Sequence, residues 1–235
     1  MSKRDLTNEQ KKLKTDLWII SLASLISLSV YIIFQDQLTA LIKDKSLNII
    51  IRTLIAAALQ FGIAGLGITI DMVLRKESPF SYGLRKKGAA ASILLSGLCS
   101  VPYIAFIIFS KQFSGYLPFR TVWVTKEVFA GGFPTNAIGT FIIAVAWGFF
   151  EGFNYVVISD KINKLSPVKN IWMNNGAIIC AVICILIHGI VGVTANGILE
   201  MASVFIIIYG MLVVKKHTGN AWGCVFIFIF LWNAF

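Results

Sequence analysis

Glu151 is a carboxyl inside an otherwise apolar run, Phe141-Ile-Ile-Ala-Val-Ala-Trp-Gly-Phe-Phe-Glu-Gly-Phe-Asn-Tyr-Val. At bilayer depth such a group costs roughly 2.5–3.5 kcal/mol on insertion scales, which makes it a functional-site hypothesis by default. His188, one of 2 histidines, lies in the next long apolar segment, Ile179-Cys-Ala-Val-Ile-Cys-Ile-Leu-Ile-His-Gly-Ile-Val. A Glu and a His facing each other inside a membrane could activate water, relay protons or hold a metal. Asn154 and Tyr155 follow Glu151 at helical i+3 and i+4, on the same face. They would support Glu151 as a general base or ligand. The alternative is a protonated Glu that pins helix packing through hydrogen bonds.

Cys180, Cys184 and His188 follow one another at i+4 steps and form one stripe. Such a stripe could hold zinc with Glu151 as a fourth ligand, but a single histidine within a span is a poor ligand set, and no metal or other cofactor is expected. The four cysteines (Cys99, Cys180, Cys184, Cys224) all fall in apolar runs and read as reduced core residues. No Ser or Cys nucleophile stands beside a base on a separate segment. Asp71 and Arg75 are spaced for an i,i+4 ion pair at a membrane edge. Glu200 lies near the start of a later apolar run, with or without a catalytic role.

These residues need apolar helices to position them. The chain has 235 residues, 57% hydrophobic and 14% charged, with mean hydropathy +0.80. A soluble domain carries nearly twice that charge. The composition implies an all-α polytopic transmembrane helix bundle of seven or eight spans, folded as a single domain over residues 1–235. Seven segments are readable, over 17–34, 48–74, 88–109, 136–158, 171–192, 197–214 and 219–235. The stretch 111–134 is an outer interfacial loop or an eighth, shorter element. The first apolar run lacks a small-residue cleavage site, so a retained span is expected rather than a signal peptide. Placing the N-terminus in the cytoplasm puts fifteen of the 21 Lys and Arg residues inside and six outside. The net charge of +10 then reports topology and attraction to anionic lipid, not nucleic acid. Trp18, Tyr31, Tyr103, Tyr116 and Trp172 sit near span ends, as an aromatic belt does. No internal repeat is present, which weighs against an inverted-repeat transporter.

Depth links the candidates. The fourth and fifth segments form a hairpin at Ser166-Pro167, with Glu151 about four turns before it and His188 about six turns after, roughly 7–8 Å apart in depth. Asn233 lies about four turns beyond the Lys215-Lys216-His217 corner, at comparable depth. Three polar side chains on three helices are therefore expected to converge near one level.

Three stretches resemble the CPBP family of CAAX proteases and bacteriocin-processing membrane proteins. Tyr82-Gly83-Leu84-Arg85-Lys86-Lys87 looks like the Gly-Leu-Arg lead into a long span. Glu151-Gly152-Phe153-Asn154-Tyr155-Val156 occupies the place of its Glu-Glu-x-x-x-Arg motif, and His188 that of the second motif's histidine. Thr218-Gly219-Asn220-Ala221-Trp222, followed by an apolar run to Asn233, looks like its Thr-Gly-Ser-Leu-Trp lead into a final His-x-x-x-Asn. The likeness covers roughly 80–235. The chain departs from the pattern at Gly152, at Val156, and at Phe228 or Ile229, where the last histidine is expected.

The resemblance implies a metal-independent intramembrane endopeptidase. Glu151 and His188 would activate water as base and orienter, and Asn233 would be the remaining oxyanion donor. The partners implied are the lipid bilayer and a peptide or protein substrate, with lipid modification an option. The location expected is a prokaryotic cell membrane, with the N-terminus cytoplasmic. Two alternatives stay open: a catalytically degenerate member acting as an immunity factor or scaffold for a membrane protein partner, and a proton-coupled transporter using Glu151 and His188 as a relay.

Overall fold

The computed structural model describes residues 6–187 and 195–235, and within them the protein is helical with no strand. The first helix, α1 (Asn8–Ile33), starts at a capping box in which the Gln10 N–H donates to Thr7 Oγ1 and the Thr7 N–H to Gln10 Oε1. Next come α2 (Gln35–Lys43), α3 (Ile49–Ala64), α4 (Leu66–Arg75) and a short 3-10 turn at Pro79–Tyr82. Then follow α5 (Ala89–Leu98), α6 (Val101–Phe109), α7 (Thr125–Ala130) and α8 (Thr135–Ile143). A π-helical stretch, Ala144–Phe150, joins α8 to α9 (Glu151–Leu165). The rest is α10 (Asn175–Ile187), α11 (Ala195–Thr218), α12 (Trp222–Phe226) and a second π-helical stretch, Ile227–Leu231.

Among the described residues, four helices are long and apolar enough to cross a membrane: Asn8–Ile33, Ala89–Phe109, Thr135–Leu165 and Gly197–Thr218. They are five if α3 and α4, bent by 57° at Gly65, count as one broken span. The segment read as one span over 48–74 is thus two helices. At Gly65 an added Cβ would lie 2.3 Å from the Phe61 ring and 2.9 Å from Phe150, so a larger residue does not fit the bend. Among the described residues, the remaining apolar segments form the helices Asn175–Leu186, which runs up to the end of the described stretch, and Trp222–Leu231, which is shorter than the ~20 residues a bilayer crossing takes. The stretch 111–134, read as an interfacial loop or a shorter eighth element, is turns plus the six-residue helix α7.

α1 is largely unburied within the bundle, and Trp18, Ile26 and Ile33 are exposed, as lipid-facing side chains would be. The main core surrounds α9: Phe153, Val156 and Val157 pack with Ile20 (α1), Ile68 (α4), Cys180 (α10), Ile208 (α11) and Val225 (α12). A second core joins Ile42, Ala56, Val122, Val128 and Ile143. The α9–α10 turn is tied by asparagines: Asn163 Nδ2 donates to Asn174 Oδ1 at 2.7 Å, and the Gly176 N–H donates to Asn163 Oδ1 at 3.0 Å.

Candidate functional site

The π-helical stretch before α9 widens the helix just ahead of Glu151 and re-aims the residues that follow, a feature that recurs at functional sites. The glycines on either side of that carboxyl serve packing. A Cβ at Gly148 would meet Ile229 Cγ1 at 2.3 Å, and one at Gly152 would meet Cys224 O at 2.9 Å and Phe228 Cδ2 at 3.1 Å. Both let the C-terminal helix lie directly on α9, while Glu151 faces a cavity on another side.

That cavity holds about 650 Å³ and is walled by α1, α3, α9 and α10 together with residues 121–123. Its lining is mostly apolar, with Gln60, Glu151, Asn154, Tyr155 and Asn233 as convergent polar groups. Gln60 Nε2 donates to Glu151 Oε2 at 2.8 Å, and Glu151 is 7% exposed. The Asn154 carboxamide oxygen is buried and accepts no hydrogen bond among the described residues. Leaving such an acceptor unpaired costs about 1–3 kcal/mol, so the position calls for a donor from water or a ligand. Ser24 Oγ donates to Ile63 O at 2.6 Å and ties α1 to α3 along the wall.

Asn233 reaches the cavity because the chain leaves the helix before it. Its φ of 57° is left-handed, a conformation asparagine tolerates better than most residues. The segment before α7 fixes it there: the Arg120 N–H donates to Asn233 O and the Leu117 N–H to Ala234 O, each at 2.8 Å.

Glu151 and Asn233 therefore line one cavity, whereas His188 lies outside the described residues. Sequence reasoning missed Gln60, a polar residue in an apolar segment whose only signal was its type. Neither position where a last histidine was expected lines the cavity. Phe228 is buried between the rings of Tyr155 and Trp232, at centroid distances of 5.5 and 5.3 Å, and Ile229 packs on Gly148. The physical reason is the π geometry. The Trp232 N–H donates to Ile227 O at 2.7 Å, an i+5 bond, so counting four residues back from Asn233 follows no common helix face. The stretches 82–87 and 218–222 do meet: the Ala221 N–H donates to Gly83 O at 2.9 Å, and Asn220 Nδ2 donates to Arg85 O at 2.6 Å.

A second polar cluster was not foreseen. Lys161 Nζ lies 2.9 Å from Asp16, 2.7 Å from Asp71 and 3.5 Å from Glu77. Arg75 pairs with Asp16 at 2.6 Å, so the expected Asp71–Arg75 pair is replaced by Asp71–Lys161 and Arg75–Asp16. The Tyr82 hydroxyl donates to Glu77. Burial, and then that carboxylate, hold the Tyr82 phenol above the usual tyrosine range. Arg52, one of the six basic residues counted as outside, is 4% exposed and bonds Glu127 and Ile42 O, each at 2.7 Å.

Among the described residues, no three His, Cys, Asp or Glu side chains are grouped to hold a metal ion. No family model matches this sequence, and no curated protein or solved structure matches it either.

Proposed function

We propose that this chain is a multi-pass membrane protein of the CPBP type, of seven or eight spans, with its N-terminus in the cytoplasm of a prokaryotic cell. Its Glu151 cavity would be an intramembrane site for peptide-bond hydrolysis. One observation carries the reading. A buried carboxyl, an unpaired amide acceptor on the next turn and Asn233 share one apolar cavity of about 650 Å³. Apolar walls with a few convergent polar groups are what a membrane-embedded substrate requires.

In this mechanism Glu151 takes a proton from a water, and the water oxygen attacks the peptide carbonyl carbon. The proton then passes to the leaving amine as the C–N bond breaks. Gln60 fixes one carboxylate oxygen through its 2.8 Å bond. Asn233 Nδ2 is the oxyanion donor, and the resemblance gives His188 the role of orienter. The purified chain in detergent should cleave a prenylated peptide, and Glu151→Ala should not. Absence of cleavage by the wild type under all such conditions sinks the peptidase reading.

A second reading has its own support. Phe228 and Ile229 face the core where a further oxyanion donor is expected, and losing one such donor costs on the order of 10²–10³ in rate. On that reading the same cavity binds an apolar segment of a membrane protein partner without cutting it.

A further inference from the structure

A smaller pocket of about 280 Å³ lies apart from the Glu151 cavity, between the 3-10 turn Pro79–Tyr82 and the last turn of α11. Its charged wall is Arg85, Lys215, Lys216 and Asp160, with Phe80 and Tyr82 as the apolar side. Asp160 is already held by Lys215. Among the described residues Arg85 and Lys216 have no carboxylate partner, so the pocket keeps an excess of two positive charges.

Nearby backbone donors do not account for that excess. The Gly83 N–H donates to Phe80 O at 3.1 Å and the Gly219 N–H to Lys215 O at 2.8 Å, so both are satisfied. Recognition therefore falls to the side-chain cations. The guanidinium of Arg85 lies over Gly219, where an added Cβ would come within 2.4 Å of Nη2. A residue without a side chain at 219 is what lets this planar fork lie in the pocket. Phe80, 74% exposed, stands at its edge as an apolar flank. A planar guanidinium beside an ammonium matches the oxygens of a phosphate. Basic pockets at the cytoplasmic ends of membrane helices take anionic headgroups by the same chemistry.

We propose that this pocket binds a phosphate-bearing anion through Arg85 and Lys216 at the membrane surface. It is independent of the Glu151 chemistry. The test uses the full chain in detergent. Native mass spectrometry compares retention of phosphatidylglycerol and phosphatidylcholine with identical acyl chains, and thermal unfolding is followed with and without inorganic phosphate. Each cation near the phosphate contributes about a fivefold preference, so Arg85→Gln or Lys216→Gln lowers phosphatidylglycerol retention about fivefold and the pair about 30-fold. The double change Lys45→Gln/Lys111→Gln removes equal charge from exposed positions elsewhere and leaves retention unchanged.

A phosphatidylglycerol preference that the pocket variants lose assigns a lipid headgroup. Stabilisation by inorganic phosphate alone, also lost in those variants, assigns a soluble phosphate. Should a Gln variant fail to fold, Arg85→Lys keeps the charge without the fork and still lowers retention. No preference in either arm, or an equal preference in wild type and pocket variants, overturns the proposal.

Discussion

Replacing Lys161 by Met tests how the bundle holds its buried charges. The ammonium is 1% exposed and touches Asp16, Asp71 and Glu77. Without it, Asp16 still has Arg75 at 2.6 Å, but Asp71, fully buried, loses its only ion-pair partner among the described residues. Removing one partner of a buried pair typically costs about 3–5 kcal/mol, because the remaining charge stays desolvated. For a chain of this length that is roughly 6–20 °C in melting temperature, at about 2–4 °C per kcal/mol. The assay is helical circular dichroism on heating in detergent. Adding Asp71→Asn to Lys161→Met removes the stranded charge and should recover at least half of the loss, a coupling read directly from the double-mutant cycle. A single variant that melts within a degree or two of wild type, or a double variant less stable than the single, would refute the reasoning.

Three further outcomes follow from the same geometry. Gly152→Glu, which restores the second Glu of the resembled motif, should destabilise by about 1–3 kcal/mol without raising activity, since its Cβ meets Cys224 O at 2.9 Å; a stable, more active variant would contradict this. Ile229→His should leave any peptidase rate unchanged or lower, because that side chain packs on Gly148 and does not line the cavity; a large gain in rate would mean the helix register is misread. The Tyr82 phenol is raised in the folded state, so its contribution is complete below about pH 10 and fades above it. The melting-temperature advantage over Tyr82→Phe should therefore hold at neutral pH and shrink in alkali, and a constant advantage would count against the Tyr82–Glu77 bond.

The helical segments were legible because length and continuous apolarity are local properties of a chain. Glu151 stood out for the same reason: one carboxyl in a long apolar run. Asn233 was placed by depth alone, yet it enters the cavity through a left-handed backbone held by residues 117–120, which no helical count contains. The Lys161 cluster joins Asp16 to Lys161 across most of the chain, and local i,i+4 spacing pointed instead to Asp71 and Arg75. The bend at Gly65 and the two π-helical stretches were also illegible. The bend depends on the Phe61 and Phe150 rings that stand against Gly65, and the first π stretch lies against Ile229 at Gly148, which are tertiary facts. The π stretch at 227–231 is what turned the expected histidine positions away from the cavity, Phe228 into the core and Ile229 against Gly148.

The role of Glu151 is tested most directly by incubating a prenylated peptide with wild type and Glu151→Gln in ¹⁸O-labelled water. Wild type should release a fragment carrying ¹⁸O in its new carboxylate. The Gln variant, nearly isosteric but unable to act as a base, should retain the wild-type melting profile and lose about 10²–10⁴ in rate. Cleavage by Glu151→Gln at the wild-type rate would contradict the assignment of Glu151 as the base.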